Sequence, residues 1–192
     1  FFLNFNSNLD KLDISNWLSP ESLLLSFLKS QLLHNKNLSV YGDVNIKKIL
    51  NFNNLNNFFL EFKIEKGLID FSNISFIWND IIKFNASNNL LLLQSNDLVI
   101  DGRIIIEIEN LRKIFQFFQI PKKFRKSIDM LEFDFDYNFG QEEMNIFNIK
   151  IDDKINNQLN MFFEKNNLKF DDPGNKIYFK RFINDAFKAY SG

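Results

Sequence analysis

Apolar and polar residues alternate with a period of two through much of this chain, the pattern of strands that bury one face and wet the other. In "NNFFLEFKIEKG" Phe58, Leu60, Phe62 and Ile64 fall on one face, and Phe59, Glu61, Lys63 and Glu65 on the other. "NLSVYGDVNIKKI" turns Leu38, Val40, Val44 and Ile46 inward, and "DLVIDGRIIIEIEN" does the same with Leu98, Ile100, Ile104, Ile106 and Ile108. Gly42 and Gly102 interrupt these runs and are expected to mark bulges or bends. Between them, "LIDFSNISFIWNDIIKFNASNNLLLLQSND" reads as short strands punctuated by Asn, Asp and Ser. Eight or nine strands follow from this pattern. The connections are short and polar, which predicts an antiparallel meander, since parallel neighbours need long crossovers.

Helical spacing appears in four places. "SPESLLLSFLKSQLL" offers Ser19 as an N-cap and Pro20 at the first helical position, with Leu24, Phe27, Leu28 and Leu32 near one side. "ENLRKIFQFFQI" gathers Leu111, Ile114, Phe115 and Phe118 before Pro121 ends it. "INNQLNMFFEKN" carries Ile155, Leu159, Phe162 and Phe163, and the closing "NKIYFKRFINDAFKAY" aligns Phe179, Phe182, Ile183 and Phe187. Each is amphipathic and long enough to cover part of a sheet. "DDPGNK" between the last two reads as a turn. The fold class predicted is α+β and β-rich: a curled, mostly antiparallel meander, open like a groove, with a few amphipathic helices packed on it. Residues 1–192 read as one such domain. Because the chain opens at Phe1 inside an alternating element, it reads as a fragment of a longer protein or a processed product.

Length and composition support a packed core, with 192 residues of which 45% are hydrophobic. The 23 basic residues nearly balance the 24 acidic ones, so the domain-wide basic excess of a nucleic-acid binder is missing. The chain has no cysteine, which removes disulfides, thiolate zinc sites and thiol nucleophiles and suits a reducing cytosol or a periplasm. Its 25 phenylalanines, with abundant Asn, Ile and Lys, match the codon bias of an AT-rich genome. No apolar run reaches the length of about 18 residues needed to span a membrane.

Candidate chemistry is sparse. "MLEFDFDYNF" places Glu132, Asp134 and Asp136 at alternate positions, roughly 6.5 Å apart on one side of a strand. That spacing suits a pair of glycosidase acids or part of a calcium site, and it is equally what any solvated strand face provides. His34 is the single histidine and follows a helical stretch, where terminal carbonyls would stabilise its charge. No G-x-S-x-G elbow or phosphate-binding glycine loop accompanies it. "PKKFRKS" supplies Lys122, Lys123, Arg125 and Lys126, a solvated turn or a contact for phosphates. No catalytic, cofactor-binding or metal-binding residues are assigned. The larger feature is an apolar sheet face able to line a groove for acyl chains. Its candidate lining is Phe58, Leu60, Phe62, Ile64, Ile104, Ile106, Ile108, Phe133, Phe135 and Tyr137.

The latter half, from "DGRIIIEIEN" through the Phe-rich helix closed by "QIPKKFRKS", the hairpin "DFDYNF" with "NIFNIKID", and the last helix ending in Tyr-x-Gly, resembles the C-terminal region of AsmA-like proteins of bacterial envelopes. The resemblance implies a non-enzymatic periplasmic protein, anchored in the inner membrane by a segment upstream, with a curled sheet whose apolar groove holds phospholipid acyl chains. It implies a part in phospholipid transfer or outer-membrane assembly, with envelope proteins as further partners and no nucleic acid. The alternative expectation is a structural or protein-interaction module in which the same residues form a closed core.

Overall fold

The computed structural model describes residues 1–14, 21–30, 32–50, 54–94, 97–166, 168–169 and 176–192. Among these residues ten strands form a single sheet: β1 (Phe2–Asp13), β2 (Ser39–Leu50), β3 (Leu55–Glu65), β4 (Leu68–Trp78), β5 (Ile82–Gln94), β6 (Asp97–Ile108), β7 (Met130–Asn138), β8 (Glu143–Ile151) and the two-residue β9 (Lys154–Ile155) and β10 (Leu168–Lys169). Among the described residues four α-helices accompany them, α1 (Leu23–Leu28), α2 (Leu111–Phe117), α3 (Asn157–Lys165) and α4 (Lys176–Ser191), with a single 3-10 turn at Lys122–Phe124. The architecture is α+β, with a mostly antiparallel open sheet and a C-terminal helix, as the alternation predicts.

From β2 to β8 each strand pairs with its sequence neighbour in antiparallel fashion. The exception is β1, which lies parallel to β2. Residues 14–38, α1 among them, supply the long crossover a parallel pair requires, so the meander begins one strand later than its pattern suggests. The polar stretch at 68–94 also forms two long strands instead of several short ones, β4 with 11 residues and β5 with 13. Asn88, at φ 55°, takes up an irregularity in the β5–β6 register, so Asn here bends a strand without ending it. Three of the described hairpin turns use the same left-handed conformation. Lys66 and Gly67, Asn79 and Asp80, and Asp152 and Asp153 all have positive φ, the geometry whose twist matches flanking strands.

The two glycines do not bulge their own strands; they admit bulky neighbours. Gly42 faces Phe62 across β2–β3, and a Cβ there would stand 2.6 Å from the Phe62 ring. Gly102 lies opposite the β5 irregularity, where a Cβ would come within 2.1 Å of the Asn89 side-chain oxygen. Asn89 is fully buried and donates its amide to the Phe71 carbonyl at 2.9 Å.

Register aligns apolar side chains across the sheet. Val44, Leu60, Ile74, Ala86, Ile104 and Phe133 form one line from β2 to β7. Val40, Ile64, Ile69, Leu91, Ile100, Tyr137 and Met144 form a second, through to β8. Helix α1 covers one end of this inner face, its Leu25 packing with Leu33, Ile64, Ile69, Leu91 and Leu98. Its N-cap is Ser22, whose hydroxyl accepts from Leu25 N at 3.1 Å; the expected cap at Ser19 and Pro20 lies outside the described residues, as do residues 171–175 of the turn expected at 171–176, whose Lys176 opens α4. A helix starting at Leu23 and ending at Leu28 turns Leu25 inward, at 1% exposure, and leaves Phe27 and Leu32 outside, at 52% and 68%. The face predicted from Leu24, Phe27, Leu28 and Leu32 is therefore rotated. Ile155 likewise leaves the α3 stripe, because it belongs to the β9 hairpin and is exposed.

Candidate functional site: an apolar cavity between sheet and helices

Helices α2, α3 and α4 cover the other end of the inner face, and side-chain caps fix where two of them begin. Asn110 accepts from Lys113 N at 3.0 Å to start α2, and Asn156 accepts from Leu159 N at 2.9 Å to start α3. Asn160 then ties α3 to the sheet by accepting from Ile149 N at 2.8 Å. α4 is held to the segment between α2 and β7. Lys126 Nζ donates to the Tyr190 carbonyl at 3.0 Å, Tyr190 OH donates to Ser127 O at 3.1 Å, and Ser191 Oγ donates to Phe124 O at 2.9 Å. Asn184 adds a bond from its side-chain amide to Phe118 O at 2.7 Å.

These helices do not fill the space beneath them. A cavity of about 370 Å³ lies between their apolar stripes and the sheet, and its walls are wholly apolar. The floor is built by Phe76, Phe84, Ile106, Phe133 and Ile151, and the roof by Ile114, Phe118, Leu159, Phe163, Ile183 and Phe187. Tyr190 contributes ring carbon only, its hydroxyl being turned to Ser127. Burial, with the Asp152 carboxylate nearby, holds the Tyr190 phenol above its ordinary range. Phe179 lines the cavity and is also exposed, which brings the space to the protein surface beside α4.

The register puts all ten candidate lining residues on the inner face, but not in one site. Ile106, Ile108 and Phe133 line the cavity. Ile104 and Phe135 are buried in the packed cluster beside it, which Tyr137 joins from the edge. Phe62 and Ile64 lie in the cluster under α1. Phe58 and Leu60 are half-buried and join none of the three packed clusters found among the described residues. The cavity's remaining walls were partly visible in sequence. Ile114, Phe118, Ile183 and Phe187 stand out as helix stripes, whereas Phe76 and Phe84 sit in the stretch whose Asn and Ser content hid its alternation.

The carboxylate row lies on the outer face and is engaged in ordinary pairs. Arg103 Nε donates to Asp134 at 2.8 Å, Asn148 to the other Asp134 oxygen at 2.8 Å, Lys150 to Glu132 at 2.7 Å, and Asn145 to Asp136 at 2.8 Å. Partial burial opposes ionisation of Asp134, yet the bonds from Arg103 and Asn148 outweigh it and hold its pKa below the usual carboxylate value. Asp136 borders a concavity of about 520 Å³ with Asp101 and Glu143, where polar side chains mix with Leu92, Val99 and Phe147. Among the described residues no group of three or more His, Asp or Glu side chains is placed to hold a metal ion. Both ring nitrogens of His34 face backbone carbonyls, Gly67 O at 3.2 Å and Leu28 O at 3.1 Å.

No helix among the described residues is long and apolar enough to cross a membrane. No protein-family model, curated protein or solved structure matches the chain.

Proposed function

We propose that the protein is a non-enzymatic lipid-binding module whose apolar cavity and adjoining sheet face shield phospholipid acyl chains. The observation that carries this reading is the cavity itself. The cavity opens to the surface at Phe179, so without an occupant its hydrocarbon walls face solvent, and covering them releases the free energy of apolar burial. A volume of about 370 Å³ also falls in the range typical of small-molecule sites. With no polar group on its walls, the cavity selects against sugars, nucleotides and ions and favours hydrocarbon, whose burial yields about 0.8 kcal/mol per methylene. The half-buried Phe58 and Leu60 extend apolar surface along the sheet towards β2.

The likeness of the latter half to AsmA-like proteins supports placing this activity in the periplasm, beside an inner-membrane anchor, in phospholipid transfer or outer-membrane assembly with envelope proteins as partners. Native mass spectrometry of gently purified protein is expected to show co-purified phospholipid, released by organic extraction. Protein that carries no lipid and takes up none after extraction would overturn the reading. It would favour the closed-core interaction module, which the deep burial of Ile104, Phe135 and Ile149 also suits.

A further inference from the structure

The chain is nearly neutral as a whole, but the helical layer over the cavity is not. Residues 110–128, comprising α2 and the turn after it, hold six basic residues (Arg112, Lys113, Lys122, Lys123, Arg125 and Lys126) and no carboxylate. All six are exposed. α4 packs directly on this segment, through Phe187 against Phe115 and Phe179 against Phe118, and brings Lys180, Arg181 and Lys188 against a single acid, Asp185. With a net charge of −1 for the whole chain, the remainder is correspondingly acidic. The same layer exposes large apolar side chains. Ile177 is 82% exposed, and Phe117, Tyr178 and Phe179 stand partly in solvent, with Lys180 Nζ 5.2 Å from the Phe117 ring centre.

We infer that this layer docks on an anionic phospholipid surface, with Ile177, Phe117 and Phe179 entering the headgroup region and the surrounding Lys and Arg meeting lipid phosphates. The inference rests on the acyl-chain reading for its purpose, because Phe179 stands both at the cavity's surface opening and in this patch. Charge complementarity selects an anionic partner. The protruding aliphatic and aromatic groups favour a membrane over a nucleic acid, whose phosphates offer them no apolar phase.

The test is sedimentation of the full chain with vesicles of equal parts phosphatidylglycerol and phosphatidylcholine, set against pure phosphatidylcholine. Binding is expected only to the anionic vesicles and is expected to weaken as salt rises. Neutralising Lys113, Lys180 and Arg181 together to Gln should lower vesicle affinity roughly a hundredfold, about fivefold per charge. Ile177→Asp should weaken it as well while leaving the thermal midpoint in place, because that side chain is exposed. Uptake of a fluorescent fatty acid in vesicle-free solution should be unchanged in these variants, which separates docking from the cavity. Fatty-acid uptake without anionic vesicle binding would overturn the docking inference alone. Vesicle binding without uptake would support docking and overturn the cavity reading. Salt-sensitive binding to RNA with none to vesicles would also overturn docking.

Discussion

Phe84 on β5 lies nearly flat against Phe76 on β4, ring centres 4.3 Å apart and planes 14° from parallel, and the pair forms part of the cavity floor. A stacked cross-strand pair contributes about 0.5–1.5 kcal/mol beyond simple burial. Phe84→Ala is expected to cost about 2–3 kcal/mol, below the figure for a fully enclosed ring because Phe84 is only half-buried. Urea denaturation checks the value. It should also show an unchanged m-value, since the strand pairing survives.

Gly102 faces the buried Asn89, and Gly102→Ala would push a methyl against the amide oxygen. Both groups sit in a continuous sheet where the backbone has little room to yield, so a loss of about 1–3 kcal/mol is expected. Asn89→Ala also destabilises, by removing the bond to Phe71 O. The double variant should lose less than the sum of the two, and a double-mutant cycle in urea measures that coupling.

Asp134 links the outer face to pH. Its folded pKa is lowered, so its contribution is complete above the ordinary carboxylate value of about 3.9 and is lost as pH falls through the lower folded value. Asp134→Asn should therefore reduce stability at neutral pH by less than about 1 kcal/mol, Arg103 being largely solvated, and should flatten the acid side of the stability curve. Thermal melts from neutral to strongly acid solution test both parts.

The alternation of apolar residues was a reliable guide to the sheet because register preserves it: Leu60, Ile104 and Phe133 lie on one line across three strands that the pattern had already oriented. It failed where side-chain type concealed geometry. Asn88 supports a left-handed kink inside β5, so a polar residue that looks like a break is part of a strand. The parallel β1 depends on a crossover that local pattern does not reveal. The cavity was legible only in halves, because a void is a property of how far a helix stripe stands from a sheet, and spacing along the chain carries no such distance. The basic layer was hidden for a related reason: α2 and α4 are far apart in sequence and adjacent in space.

The bond from Tyr190 to Ser127 fastens the C-terminal end of α4 over the cavity. Tyr190→Phe removes the hydroxyl and leaves the ring, and is expected to cost about 1 kcal/mol. Amide exchange should quicken in α4 while β6 and β7 keep their protection, because the hydroxyl bond belongs to the helix attachment and not to the sheet.

The most direct test of the cavity as an acyl-chain site is titration of a fluorescent fatty acid into lipid-free protein, wild type against Ala186→Phe. Ala186 lines the cavity, and a phenyl ring placed there should enter the void, keeping stability within about 1 kcal/mol where overpacking a filled core would cost more. Saturable uptake by wild type and its loss in a folded Ala186→Phe protein is the expected result. Equal uptake by both proteins, or none by wild type, would contradict it.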